Sequence, residues 1–306
     1  ISAIPKPPSS LAVKRELTIL QYQLNRNNSE KEDFFNELKG IIRETPNFSI
    51  KNPGRSDTSI DSHSASIPER IFALKHFGRS GTGFFHSLID NHKEISTLPS
   101  VYFSEFFNHT TWDRITDGGW SELADRFIAM YPVLFDARVP DPVLSIGGQR
   151  LYDIGVKEGM ANVGESRNEY LSVDKQLFRD SLTHHLSFYN DINAYSFFKL
   201  IHVAYEEAQK NHDDKKCIFY HIHNPDIYAK LKFIDLVPEA RWIVMVREPL
   251  QSCESWIRSD FNNNNYKELS LKISSMLFDV DDFIFQKQNN IGDRLEDLIQ
   301  EPKKTM

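Results

Sequence analysis

The stretch that most constrains this chain runs from Ile71 to Glu94 and reads IFALKHFGRSGTGFFHSLIDNHKE. It opens on an apolar run, Ile71 to Leu74. Such a run suits a strand buried on both faces of a parallel sheet. The chain then passes through Gly78-Arg79-Ser80-Gly81-Thr82-Gly83, which places three glycines, two hydroxyls and one cation in six residues. Phe84, Phe85, Leu88 and Ile89 follow at helical spacing. Strand, glycine-rich turn and helix start together predict an anion cradle. Glycine permits positive φ and close backbone approach, and the N–H groups of a helix N-terminus attract phosphate. The loop lacks the Lys-Ser or Lys-Thr pair of a Walker A sequence, and its cation, Arg79, precedes the Gly-Thr-Gly. A tight strand-to-helix turn with a surface arginine would read the same way, so the loop alone leaves both readings open.

The rest of the chain supplies the frame. Apolar runs at 217–222 and 242–246 predict two more strands. Asp125–Phe135, Leu177–Phe188 and Ile192–Gln209 carry helical periodicity, the last with Asp191 placed to cap it. Strands alternating with helices predict a three-layer α/β fold with a parallel sheet, and such sheets bind ligands at the carboxyl ends of their strands. Three strand ends therefore matter. The first carries the glycine loop. The second delivers His221 and His223 in Tyr-His-Ile-His-Asn-Pro. The third delivers Arg247, with Pro249 suited to a first helical turn and Ser252 and Ser255 following on that helix. Arginine suits a bidentate phosphate contact, so the third strand end reads as a second anion site, separate in sequence from the first. A surface ion pair is its alternative reading. Two anion sites on one sheet imply a ligand with phosphates at two places.

Ahead of this frame, Leu11 to Ile42 is helical in pattern, with Val13, Leu17, Leu20 and Leu24 on one face. Asn27-Asn28-Ser29 breaks it, and Ser29 with Glu32 reads as the start of a second helix. Residues 52–66 have no apolar period and read as a loop or linker. The expected organisation is a helical extension and linker over 1–66 and an α/β domain over 67–306, both ends looking cut from a longer polypeptide. The net charge of −7 gives no electrostatic footprint for nucleic acid, so an anionic ligand needs a local cluster of cations. The two cysteines, Cys217 and Cys253, lie in apolar runs. They read as buried reduced thiols, which implies a reducing, cytoplasmic compartment. No apolar run reaches the ~18 residues of a membrane span.

With these residues in view, the chain resembles a family. FGRSGTGFF and WIVMVREPLQSCESW are similar to the two nucleotide-binding signatures of the sulfotransferases that use 3′-phosphoadenosine 5′-phosphosulfate (PAPS). The first signature is a basic residue, Ser-Gly-Thr, a small residue and an aromatic, which here is Arg79 to Phe84. The second is an apolar strand, Arg-x-Pro and a later serine, which here is Arg247, Pro249 and Ser255. Arg294-Leu295-Glu296-Asp297-Leu298 also resembles a late Arg-Tyr-Glu-Asp-Leu segment of that family. The resemblance covers roughly Ile71 to Met306, with a divergent middle third. It implies a P-loop NTPase-like sulfotransferase fold. It also implies that Arg79 and the amides and hydroxyls of Ser80, Gly81, Thr82 and Gly83 hold the 5′-phosphosulfate. Phe84 would stand beside the adenine, and Arg247 and Ser255 would hold the 3′-phosphate. Gly83 departs from a frequent threonine, and Glu248 from a frequent Asn or Asp.

Sulfuryl transfer is an in-line displacement akin to phosphoryl transfer. It requires positioning, cations at the leaving phosphate and a base for the acceptor hydroxyl, and it requires no metal. By resemblance His223, two residues before Pro225, stands where cytosolic members place their catalytic histidine. Glu105, in Glu105-Phe106-Phe107, stands where carbohydrate-modifying members place a glutamate base. The two could also act together, one orienting the other. His76, His86, His92, His184 and His185 read as structural, with no metal-ligand spacing among them. The expected cofactor is PAPS, with adenosine 3′,5′-bisphosphate as product. The expected acceptor is a hydroxyl, with the β-hydroxyl of an acyl chain tethered to a carrier protein in a polyketide synthase as one reading. A free small-molecule sulfotransferase, or a kinase-like or non-catalytic nucleotide-binding domain, are the alternatives. No nucleic-acid or membrane partner is expected.

Overall fold

The structure is a computed structural model that describes residues 9–25, 28–55, 67–99, 103, 105–139, 155, 159–223, 226–259, 265–286 and 290–305. In chain order its elements are α1 (Ser10–Leu24), α2 (Asn28–Glu44), β1 (Ser49–Lys51), β2 (Arg70–His76), α3 (Thr82–Ile89), β3 (Ile95–Thr97), α4 (His109–Thr116) and α5 (Leu123–Met130). There follow α6 (Lys175–Leu186), β4 (Asp191–Asn193), α7 (Ala194–Ala208), β5 (Cys217–His221), α8 (Ile227–Leu236) and β6 (Arg241–Val246). The last are α9 (Pro249–Ser259), α10 (Tyr266–Gln286), β7 (Asn290–Arg294), α11 (Leu295–Gln300) and α12 (Pro302–Thr305).

Five strands form one parallel sheet in the order β3-β5-β2-β6-β7, with β2 at its centre. Alternate residues of these strands feed two cores. Ile71, Ala73, Ile218 and Tyr220 join a large aromatic cluster with Phe103, Phe127, Phe178 and Phe198 on the side of α5, α6 and α7. Leu74, Phe219 and Met245 meet Phe85 and Ile89 of α3 and Leu295 and Leu298 of α11 on the other. Helices thus cover both faces, which is why β2 reads as a continuous apolar run rather than an alternating one. Truncating a fully buried ring such as Phe198 costs about 3–5 kcal/mol by the usual scale for aromatic core residues.

Several sequence expectations shift in register. Strand β7, of sequence NIGDR, pairs with β6 although nothing in its composition marks it. Asn193, not Asp191, caps α7, accepting a hydrogen bond from the Ser196 amide at 2.9 Å. Asp191 instead sits opposite Lys51 in a short antiparallel pair, β1 with β4. Ser29 lies inside α2, which begins one residue earlier. Helix α1 turns its apolar stripe outward. Val13, Leu17, Leu20 and Leu24 are all exposed, and the face turned inward carries Thr18 and Tyr22. The Thr18 hydroxyl donates to the Lys14 carbonyl at 2.9 Å and to Glu37 of α2 at 3.2 Å. Helix α2 does pack, with Phe35, Leu38, Ile41 and Ile42 against Ile227, Tyr228 and Leu231 of α8. Cys217 and Cys253 are free, and half-buried rather than buried. Most of the 52–66 linker lies outside the described residues. Among the described residues no helix is long and apolar enough to cross a membrane.

Candidate functional site

The glycine loop leaves the sheet at its carboxyl edge. Strand β2 ends at His76, and the Phe77 amide still bonds the Met245 carbonyl of β6 at 2.9 Å. Beyond it the backbone turns sharply. Arg79 adopts φ 58°, a left-handed conformation uncommon for a side-chain-bearing residue. Gly81, at φ 78°, is the residue from which α3 starts. The sequence imposes this path through close packing. A Cβ on Gly78 would lie 1.9 Å from the Trp256 ring of α9, and one on Gly81 would lie 2.4 Å from the Leu295 side chain at the start of α11. Gly83 faces open space. Ser80 is buried, and its hydroxyl has no hydrogen-bond partner among the described residues. Thr82 is buried in the first turn of α3, and Phe84 is exposed on its outer side.

The two regions read as separate anion sites meet at one corner. The Arg79 guanidinium donates through Nε to the Ser255 hydroxyl of α9 at 3.0 Å, across 176 residues of sequence. Arg247, at the end of β6, donates from Nη1 to the Arg79 carbonyl at 3.4 Å and from Nε and Nη2 to Gln251 at 3.3 and 3.2 Å. Among the described residues Arg247 makes no ion pair, which is the alternative its sequence position left open. Ser252, one turn before Ser255, is fully buried, and its hydroxyl has no partner among the described residues. The Arg294–Leu298 segment closes the same corner. Leu295 packs on Gly81, and Glu296 accepts the Glu248 amide at 3.1 Å just beyond Arg247.

The neighbouring strand end brings the histidines together. His76 and His223 stack with ring centroids 4.7 Å apart and planes 14° apart. His221 is buried and stands edge-on to both. His86, from α3, meets His221 edge-on at 5.7 Å. Burial lowers the His221 pKa well below its ordinary value, and the neighbouring imidazoles push it further in the same direction. Burial also lowers that of His86, against the opposing pull of Asp90. Asn224 and Pro225, the rest of the sequence motif at this strand end, lie outside the described residues.

Glu105 reaches this region from the segment before α4. Its Oε1 accepts the Asp226 amide at 3.1 Å, just ahead of α8. Burial first, and the Asp226 carboxylate second, push its pKa up to about 7. It is therefore a half-buried carboxyl and not a freely ionised one. Asn108 donates to the Asp226 carboxylate, whose own pKa burial also raises.

Sequence reasoning set His76 and His86 aside as structural, but the structure places both in the histidine cluster. The signal was available only through pairing. Leu74 lies opposite His221 in the β2–β5 register, so His76 stands beside His223. His92, His184 and His185 lie elsewhere, the last bonded to Glu207 at 3.0 Å. A cavity of about 760 Å³ lies away from the loop. It opens on the other flank of α3, over Phe72, Phe85, Ile89 and Phe219, beneath an acidic rim of Asp293 and Asp297. That rim is unsuited to a polyphosphate, so the loop corner and not the cavity is the candidate anion site. Comparison with family models, curated proteins and solved structures finds no match to this chain.

Proposed function

We propose that this chain is a sulfotransferase, moving a sulfuryl group from PAPS to an acceptor hydroxyl. One observation carries the reading. Arg79, Ser255 and Arg247, drawn from two motifs far apart in sequence, share one corner at the carboxyl edge of a parallel sheet. A 3′-phosphate seated there would meet the Arg247 guanidinium and the Ser255 hydroxyl, a donor set ADP has no use for, and would leave Arg79 to the 5′-phosphosulfate. The 5′-phosphosulfate would lie along the loop, over the amides of Ser80 to Gly83 and the N-terminus of α3. The buried Ser80 hydroxyl, unpartnered among the described residues, is a donor in keeping with that role.

His223 is the base in this reading. It stacks on His76, the residue that ends β2 just before the loop, and so flanks the place where the sulfuryl group would stand. Glu105 is a positioning residue. By accepting the Asp226 amide it fixes the start of α8, three residues along the chain from His223. The acceptor proton would pass to His223 as the oxygen–sulfur bond forms and the bond to the 5′-phosphate breaks, with Arg79 close to the leaving oxygen. The test is calorimetric. Adenosine 3′,5′-bisphosphate should bind more tightly than ADP with magnesium, and the reverse preference would replace this reading with a kinase-like one.

A further inference from the structure

We infer that His76, His221 and His223 form a binding site for a borderline divalent transition-metal ion of the Zn2+ class. One ring nitrogen from each of the three lies within 4.8 Å of the others. The strands fix this arrangement. His221 ends β5, His76 ends β2, and the parallel register sets His76 beside His223. A tetrahedral ion with bonds of about 2.0–2.1 Å would bring the nitrogens to roughly 3.4 Å apart, a closure that modest ring rotation supplies.

The second observation is His221 itself. It is only 4% exposed, and neither ring nitrogen has a hydrogen-bond partner among the described residues. A buried polar group left unsatisfied is destabilising, so two such atoms on one ring call for a ligand. The groups that ring His221 are the imidazoles of His223, His86 and His76. An unprotonated imidazole nitrogen offers a lone pair, so a cluster of them suits a cation and not a phosphate. An all-nitrogen set excludes Ca2+ and Mg2+, which take oxygen ligands, and fits Zn2+ or its neighbours. His223 is half-buried, so the fourth position would face the accessible side and take water. If the sulfuryl-transfer reading holds, one consequence rests on it. A His223 nitrogen bound to metal cannot accept the acceptor proton, so metal loading and base catalysis exclude each other.

The test uses the full chain, treated with a chelator and then titrated with Zn2+ against a chromophoric chelator, with Co2+ as a spectroscopic probe. We expect one equivalent bound and the intense visible bands of four-coordinate Co2+. His221→Asn and His223→Asn should each weaken Zn2+ binding at least about a hundredfold, since removing a ligand should exceed the 10–100-fold effect of outer-shell changes. His184→Asn should leave it unchanged. Circular dichroism identifies any variant that fails to fold, and the half-buried His223 site keeps the test intact if His221→Asn does. A pale six-coordinate Co2+ spectrum, or unaltered Zn2+ affinity in a folded His223→Asn, overturns the inference. None of these readouts is an activity, so the metal site and the sulfuryl-transfer reading can fail separately.

Discussion

Replacing Glu105 with Gln should change the pH dependence of stability in a defined direction. The carboxyl has a folded pKa of about 7 against an ordinary 4.5, chiefly because burial disfavours its charge. Between those values the folded chain keeps a proton that the unfolded chain has lost. Stability therefore falls as pH rises from about 4.5 to 7 and is level above that. Two and a half pH units at about 1.4 kcal/mol each set a ceiling of about 3.5 kcal/mol. Residual solvent contact screens part of this, so about 2 kcal/mol is the working expectation. Gln removes the titration but keeps an oxygen to accept the Asp226 amide. Asp226 is also raised by burial, but it titrates in both proteins and cancels to first order. Urea unfolding at pH 5 and pH 8 measures the difference. The stability of Glu105→Gln relative to the parent should improve by about 2 kcal/mol from the lower pH to the higher. An unchanged gap between the two proteins would refute the claim that Glu105 is held protonated by its surroundings.

Arg247→Ala should weaken adenosine 3′,5′-bisphosphate binding by on the order of 2–4 kcal/mol in calorimetry, and unchanged affinity would remove Arg247 from the donor site. Arg79→Ala should instead lower the maximal rate more than donor affinity, because Arg79 would face the bond being broken. His223→Ala should reduce turnover by about a hundredfold or more with donor binding retained. A near-normal rate in that variant, with a dead Glu105→Gln enzyme that still binds donor, would transfer the base role to Glu105. Gly78→Ala, which drives a methyl to 1.9 Å from the Trp256 ring, should destabilise the fold by at least about 1–3 kcal/mol in the same urea assay.

What could be read from sequence divides along a physical line. The β2–loop–α3 unit was legible because burial on both faces removes alternation and a glycine-rich turn punctuates it. Pro249 at the start of α9 and Arg247 before it were legible for similarly local reasons. Strand β7 was not, because an edge strand needs only backbone pairing and Ile291 is its one apolar side chain. The apolar stripe of α1 shows the limit of periodicity. It identifies a face of the helix without saying which way that face turns, and here Thr18 and Tyr22 turn inward. The histidine cluster was invisible for a different cause. His76 and His221 come together through strand register, which no spacing along one chain records. The raised pKa of Glu105 likewise depends on what covers it, and only the folded chain supplies that.

The glycines that first drew attention to the loop are not its best evidence for function. Two of the three have a packing reason. Trp256 fills the space over Gly78, and Leu295 fills the space over Gly81, which also needs its positive φ. A loop with those glycines could exist only to let α9 and α11 approach the sheet. The groups around them have no such explanation. Arg79 holds a left-handed backbone that costs on the order of 1–3 kcal/mol for a residue with a side chain. Ser80 and Ser252 bury hydroxyls that find no partner among the described residues, at about 1–3 kcal/mol each. All three lie around the corner where Arg79 meets Ser255 and Arg247. Packing alone would favour alanine at both serines and glycine at Arg79, since each change would relieve a local penalty. That strain, orphaned donors and two guanidinium groups share one strand-end corner argues for an anion as the interaction that offsets them.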